Sequence, residues 1–108
     1  MTKYTLIASR DAFESSEAGH YLDLAADLRK EGNDVTLFLV QNGVFAARKS
    51  ARTRAVEALA GAGVTVLADA FSLRERGIAK DRLAADVRAS ELDIIIVHLA
   101  EGRRVIWH

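Results

Sequence analysis

Three short, almost uninterrupted apolar runs alternate with segments of helical period along this chain, and that alternation leaves few folds open. Tyr4-Thr5-Leu6-Ile7-Ala8-Ser9 reads as a first strand, apolar enough for burial on both faces. Val35-Thr36-Leu37-Phe38-Leu39-Val40 and Val64-Thr65-Val66-Leu67-Ala68 read as a second and a third. Between the first two, Ala18, Tyr21, Ala25 and Leu28 recur at helical spacing, supported by Leu22 and Leu24. Ser15 or Ser16 offers the N-cap with Glu17 in the first turn; Arg29 and Lys30 close the helix before Gly32. After a Gln41-Asn42-Gly43 turn, a helix over about 53–62 directs Ala55, Val56, Leu59 and Ala60 inward and ends at Gly61-Ala62-Gly63. Strand, helix, strand, helix, strand with short links means βαβ units, a parallel sheet and right-handed crossovers that cover both faces. The expected fold is a single α/β domain over 1–108, a three-layer α/β/α sandwich with a mostly parallel, roughly five-stranded sheet.

The C-terminal third has two readings. Ile94-Ile95-Ile96-Val97 has strand propensity and pairs plausibly with Val105-Ile106-Trp107 as a hairpin. Against that, Ser90-Glu91-Leu92-Asp93 resembles an N-cap with acids in the first turn, and Leu92, Ile95, Ile96 and Leu99 fall at i, i+3, i+4 and i+7. The helical reading of 91–101 is favoured, with Gly102 ending it, a short strand near Val87 before it and Val105–Trp107 as the last strand.

Composition then narrows function. The chain has 15 Lys+Arg against 15 Asp+Glu, so no global charge draws it to nucleic acid or membrane. No apolar run approaches a membrane span and the N-terminus lacks a signal-peptide core, so a cytoplasmic location is expected. There is no cysteine, which excludes disulfides, thiolate nucleophiles, Cys-ligated zinc, iron–sulfur clusters and a persulfide on this chain. Nucleotide-binding glycine loops, nucleophile elbows and zinc-protease motifs are also missing, so no cofactor is expected. His20, His98 and His108 show no ligand spacing and read as surface or partly buried residues; Glu14 and Glu17 read as dipole-compensating charges rather than an acid–base pair.

Charge is nonetheless uneven. Arg48-Lys49-Ser50-Ala51-Arg52-Thr53-Arg54 is basic, whereas 11–34 carries Asp11, Glu14, Glu17, Asp23, Asp27, Glu31 and Asp34 against Arg29 and Lys30. Solvated helix faces explain both; complementary patches for subunit association, or an anion site at the basic run, are the sharper alternatives. Without interleaved aromatics the basic run is a poor nucleic-acid platform. The segment after the third strand, Ala68-Asp69-Ala70-Phe71-Ser72-Leu73-Arg74-Glu75-Arg76-Gly77-Ile78, enters a short helix that ends at Gly77. Loops at the carboxyl edge of a parallel sheet form its ligand crevice, which places Asp69 at that edge, first of all as a helix cap.

Several of these segments, in order, resemble the DsrE/DsrF and TusC/TusD sulfur-relay family. Gln41-Asn42-Gly43-Val44-Phe45 resembles its polar-x-Gly-Val-Tyr turn, with Phe45 in place of tyrosine. Gly63-Val64-Thr65-Val66-Leu67 resembles the strand before its active loop, Leu73-Arg74-Glu75-Arg76-Gly77-Ile78 the end of that loop, and Arg103-Arg104-Val105-Ile106-Trp107 the final strand. The resemblance implies a compact parallel α/β domain that assembles as trimers or hexamers, often from related subunits. Active subunits of that family hold persulfide on a cysteine eight residues before the glycine of the Arg-Gly pair, a position that is Asp69 here. An aspartate holds no sulfane sulfur, so the carrier role is not inherited.

Three functions follow as expectations. One is a non-catalytic accessory or structural subunit of a sulfur-relay complex, working with cysteine-bearing homologues. Another is a homo-oligomer that binds a small molecule at the former sulfur site, with Ser9, Arg10, Asn42 and Asp69 as polar groups, Gly43 in the turn and Phe45 and Phe71 as walls. The third, an enzyme with Asp69 as general base, lacks a partner nucleophile, histidine cluster or cofactor motif.

Overall fold

The computed structural model describes residues 1–11, 16–49 and 54–108, and the side chains of all of these except 16–18. The candidate caps Ser15 and Ser16, the Glu14/Glu17 pair, the Ala18 side chain and the Ser50–Thr53 part of the basic run lie outside that description. The elements are β1 (Lys3–Ala8), α1 (Ser16–Lys30), β2 (Asp34–Leu39), a 3₁₀ segment (Gln41–Ala47), α2 (Arg54–Gly61), β3 (Thr65–Asp69), α3 (Ala70–Glu75), a 3₁₀ turn (Lys80–Arg82), β4 (Val87–Ser90), α4 (Asp93–Ala100) and β5 (Arg104–Trp107). The sheet has five strands in the order β4-β3-β2-β1-β5, each pair parallel. The helical reading of the C-terminal third is the observed one, and the turn expected at 41–43 continues as 3₁₀ structure to Ala47.

Side-chain alternation along the strands divides the molecule into two layers of core. Leu6 and Ala8 of β1, Val35, Leu37 and Leu39 of β2, and Val66 and Ala68 of β3 face α1 and α2, where Tyr21, Leu22, Ala25, Val56 and Leu59 meet them. The intervening residues Ile7, Phe38 and Leu67, with Val40, face α4 and pack with Ile94, Ile95 and Val105. Arg103 ties the α4–β5 corner to the sheet: its Nη2 lies 3.3 Å from Asp34 Oδ2 and its Nε 3.2 Å from Glu101 Oε1.

Three orientations differ from expectation. Ala55 is exposed and Ala60 only half-buried, because Val56 and Leu59 alone fill the narrow contact between α2 and the sheet. Leu24 is exposed on the outer side of α1. In α4 the stripe Leu92–Ile95–Ile96–Leu99 does not face the core as a unit: Leu92, Ile96 and Leu99 are exposed, and only Ile95 turns inward, with Ile94 and His98. A helix apolar on every side has no preferred face, so the sheet contact, not its own pattern, orients it. Ser90 is not its cap either; it ends β4, and Leu92 occupies the N-cap position without a side-chain bond.

Candidate functional site

At the carboxyl edge of the sheet the chain folds back from β3 straight into α3, and Asp69 makes that reversal. Its extended backbone (φ −63°, ψ 120°) places it at the N-cap, where Oδ2 accepts from the Ser72 amide at 3.0 Å and the Ser72 hydroxyl at 2.6 Å. Ser72 Oγ in turn accepts from the Gln41 amide at 2.8 Å, linking the α3 turn to the end of β2. The same loop is clamped from outside by Arg76, whose Nε donates to Asn42 Oδ1 at 3.1 Å and whose Nη1 donates to the Ser72 carbonyl at 3.3 Å. The helix then stops at Gly77, which adopts φ +66° and lets the Ile78 amide reach back to the Leu73 carbonyl.

Gly43 is required for a different reason. It packs so closely on β1 that an added Cβ would collide with the Ala8 carbonyl oxygen, so a larger residue there forces the turn off the sheet edge. Phe45 lies half-buried behind the turn, beneath two guanidinium groups: Arg48 stands 4.8 Å and Arg76 5.9 Å from its ring centre. The Phe45 ring thus serves as a cation–π platform for both arginines.

These residues frame a crevice of about 370 Å³. Among the residues singled out from sequence, Asp69 and Phe71 line it, and Asn42 and Phe45 support it through Arg76. Ser9 and Arg10 do not line it. Ser9 instead donates to the His108 carbonyl at 2.9 Å, fastening the last residue to the end of β1, and Arg10 is exposed. Sequence reasoning missed Ser72, Leu92 and Trp107 as walls. The Asp-x-x-Ser spacing of a capping pair was a readable signal for Ser72. Trp107 was recognised only as the end of a strand.

Two features of the crevice bear on chemistry. Asp69 is 5% exposed, and its second oxygen, Oδ1, is sealed from solvent with no donor among the described residues. Its neighbours Phe71, Leu92 and Trp107 are exposed, Trp107 by 64%. Leu92 and Trp107 also border an adjoining apolar hollow of about 230 Å³ formed with Ile95 and Ile96, so the exposed side chains make one continuous strip from the crevice along α4. No group of three metal-ligating side chains occurs among the described residues, and no described helix is long and apolar enough to cross a membrane. Of the histidines, His20 is exposed and His108 half-buried. His98, expected nearer the surface, is buried, with Nδ1 2.7 Å from Thr5 Oγ1. Burial, reinforced by Arg103 and opposed by Glu101 and Asp34, holds its pKa below the usual imidazole value.

The architecture has counterparts among solved structures. The ychN protein of E. coli superposes with a TM-score of 0.87 at 23% identity, each chain fully covered. MTH1491 of Methanobacterium thermoautotrophicum, a protein of unknown function, gives 0.80 at 22% identity, again with full coverage of both. BT1422 of Bacteroides thetaiotaomicron, a conserved protein of unknown function, gives 0.80 at 14% identity, covering 98% of this chain and 94% of the other. At such identities these likenesses speak for the fold. Among curated proteins, none matches the chain. The family model described as DsrE/DsrF-like matches residues 2–108, from before the first strand to the last residue, and the chain therefore belongs to the DsrE/DsrF-like family.

Proposed function

We propose that this chain is a non-carrier subunit of a DsrE-like assembly, an accessory or structural partner in persulfide transfer that carries no sulfur itself. The observation that supports it most is the continuous apolar strip of Phe71, Leu92, Ile96 and Trp107 beside the Asp69 crevice. Contiguous exposed apolar surface of this kind marks interaction sites, whereas scattered exposed apolar residues need no explanation. Asp69 fits the same reading. Where a sulfur carrier of this family needs a free thiol, this chain spends the side chain on holding Ser72 and the start of α3 in place. The loop is thereby shaped without being reactive. A trimer or hexamer, of this chain alone or with cysteine-bearing homologues, and a cytoplasmic location go with this reading.

A second reading, small-molecule binding in the crevice, is favoured by Asp69 Oδ1. A buried carboxylate oxygen without a donor costs free energy, on the order of 1–3 kcal/mol, and a ligand N–H or O–H group that reaches it recovers that cost. Native mass spectrometry of the protein purified gently from its own host separates the two. Co-purification with a cysteine-bearing homologue is the result expected of an accessory subunit. A homo-oligomer carrying a constant extra mass per subunit contradicts it and points to the ligand reading.

A further inference from the structure

A second cavity, of about 390 Å³, opens on the α4 side of the sheet next to the Asp69 crevice, with Ser90 in its wall paired across the strands with Asp69, yet it shares no wall residue with that crevice. Its apolar lining comes from Leu67, Ala89 and Ile94. Its remaining wall is unusual for a sheet surface: the hydroxyls of Thr36, Thr65 and Ser90, the guanidinium groups of Arg88 and Arg103, and His98. No carboxylate lines it. An apolar lining with a few convergent polar groups is how small-molecule sites are built.

The two arginines differ in a way that favours an incoming acceptor. Arg103 is fixed, its side chain only 12% exposed and held by Asp34 and Glu101, yet its Nη1 is buried with no acceptor among the described residues. Arg88 is exposed on the edge strand β4 and takes part in no ion pair or side-chain hydrogen bond in the described structure. His98 is fixed by its 2.7 Å contact with Thr5, so the wall it forms is rigid. Both arginines lining the cavity are cationic, and beside them stand His98 and the hydroxyls of Thr36, Thr65 and Ser90, the last already donating to the Glu91 carbonyl. We infer that this cavity binds a small metabolite through an oxyanion group, phosphate or carboxylate, with Arg88 supplying the uncompensated charge, Arg103 standing beside it already paired with Asp34 and Glu101, and Thr36 and Thr65 offering hydroxyl donors. Guanidinium groups match both anions in bidentate geometry.

The test is calorimetric titration of inorganic phosphate, and separately of succinate, into the wild-type protein and into Arg88→Gln, Thr65→Val and Phe71→Ala. Arg88 and Thr65 are exposed, so these variants retain the fold, which circular dichroism verifies. Saturable binding of at least one anion is expected, weakened about tenfold by R88Q as one charge-assisted contact is lost, less by T65V, and unchanged by F71A in the other crevice. Whichever anion behaves so identifies the group recognised. No saturable binding of either anion up to about 20 mM, equal binding by R88Q, or loss on F71A overturns the assignment.

Discussion

The two faces of the sheet use the same strands for opposite ends. On the α1/α2 side, Leu6, Val35, Leu37 and Val66 are each at most 1% exposed beneath two helices, and the layer is closed. On the α4 side the buried apolar cluster among the described residues is Ile7, Phe38, Val40 and Leu67, joined by the polar Thr5, Thr36 and His98, under one eight-residue helix whose outward residues Leu92, Ile96 and Leu99 are themselves apolar. The difference is one of helix supply. Three crossovers follow β1, β2 and β3 in one direction along the sheet, whereas the single return from β4 to β5 carries α4 across the other face. One face therefore stabilises the monomer. The other is left with an apolar strip, a crevice and a polar cavity, the features on which the proposed association and binding rest.

The sharpest way to break that contrast is to truncate one residue of each kind. Leu37→Ala empties a fully buried position between β2 and the helices and is expected to cost about 2–5 kcal/mol in chemical denaturation. Asp69→Ala removes the cap of α3 and two hydrogen bonds, an expected loss of about 0.5–2 kcal/mol in the same assay; Asp69→Asn, which keeps an acceptor oxygen, should lose less. Ile96→Ala on the open face should change monomer stability by no more than about 0.5 kcal/mol, since Ile96 is 70% exposed. A large loss there would mean that α4 is part of the core in a way its exposure contradicts.

Each face also carries one titratable group whose pH dependence can be measured. Tyr21 on the closed face is pushed up to about 12 by burial, with its hydroxyl donating to the Ile106 carbonyl at 2.6 Å. A pKa raised on folding keeps its contribution intact below the unfolded value of 10.0 and loses it as pH rises from there toward 12. Tyr21→Phe should therefore flatten the fall of stability across that alkaline window. His98 on the open face shifts the other way. Its lowered pKa means that its contribution is present above the unfolded value of 6.5 and is lost as pH falls below it. His98→Gln should correspondingly reduce the acid sensitivity of the melting temperature, a smaller effect than the alkaline one.

What the sequence revealed follows the same division. The three central strands β1, β2 and β3 are legible because each buries both faces and so reads as a nearly uninterrupted apolar run, and α1 because Tyr21, Leu22 and Ala25 make one buried side. Asp69 was legible as a cap because the local spacing alone decides it. The orientation of α4 was not, since Ile94, Ile95, Ile96, Val97 and Leu99 offer every face equally. Nor were the pairings that shape the open face: Thr5 with His98 and Asp34 with Arg103 join residues 93 and 69 positions apart, brought together only by the last crossover. Trp107 became a crevice wall for that reason too, because β5 pairs with β1 rather than with its chain neighbour β4.

If the apolar strip of the open face is an assembly surface, as proposed above, sedimentation velocity on the wild-type chain and Ile96→Glu reads it out. The expected result is a multimer for the wild type at micromolar concentration and a folded monomer for I96E, with unchanged circular dichroism. A wild-type monomer with no partner, or an I96E variant sedimenting as the same multimer, would contradict it.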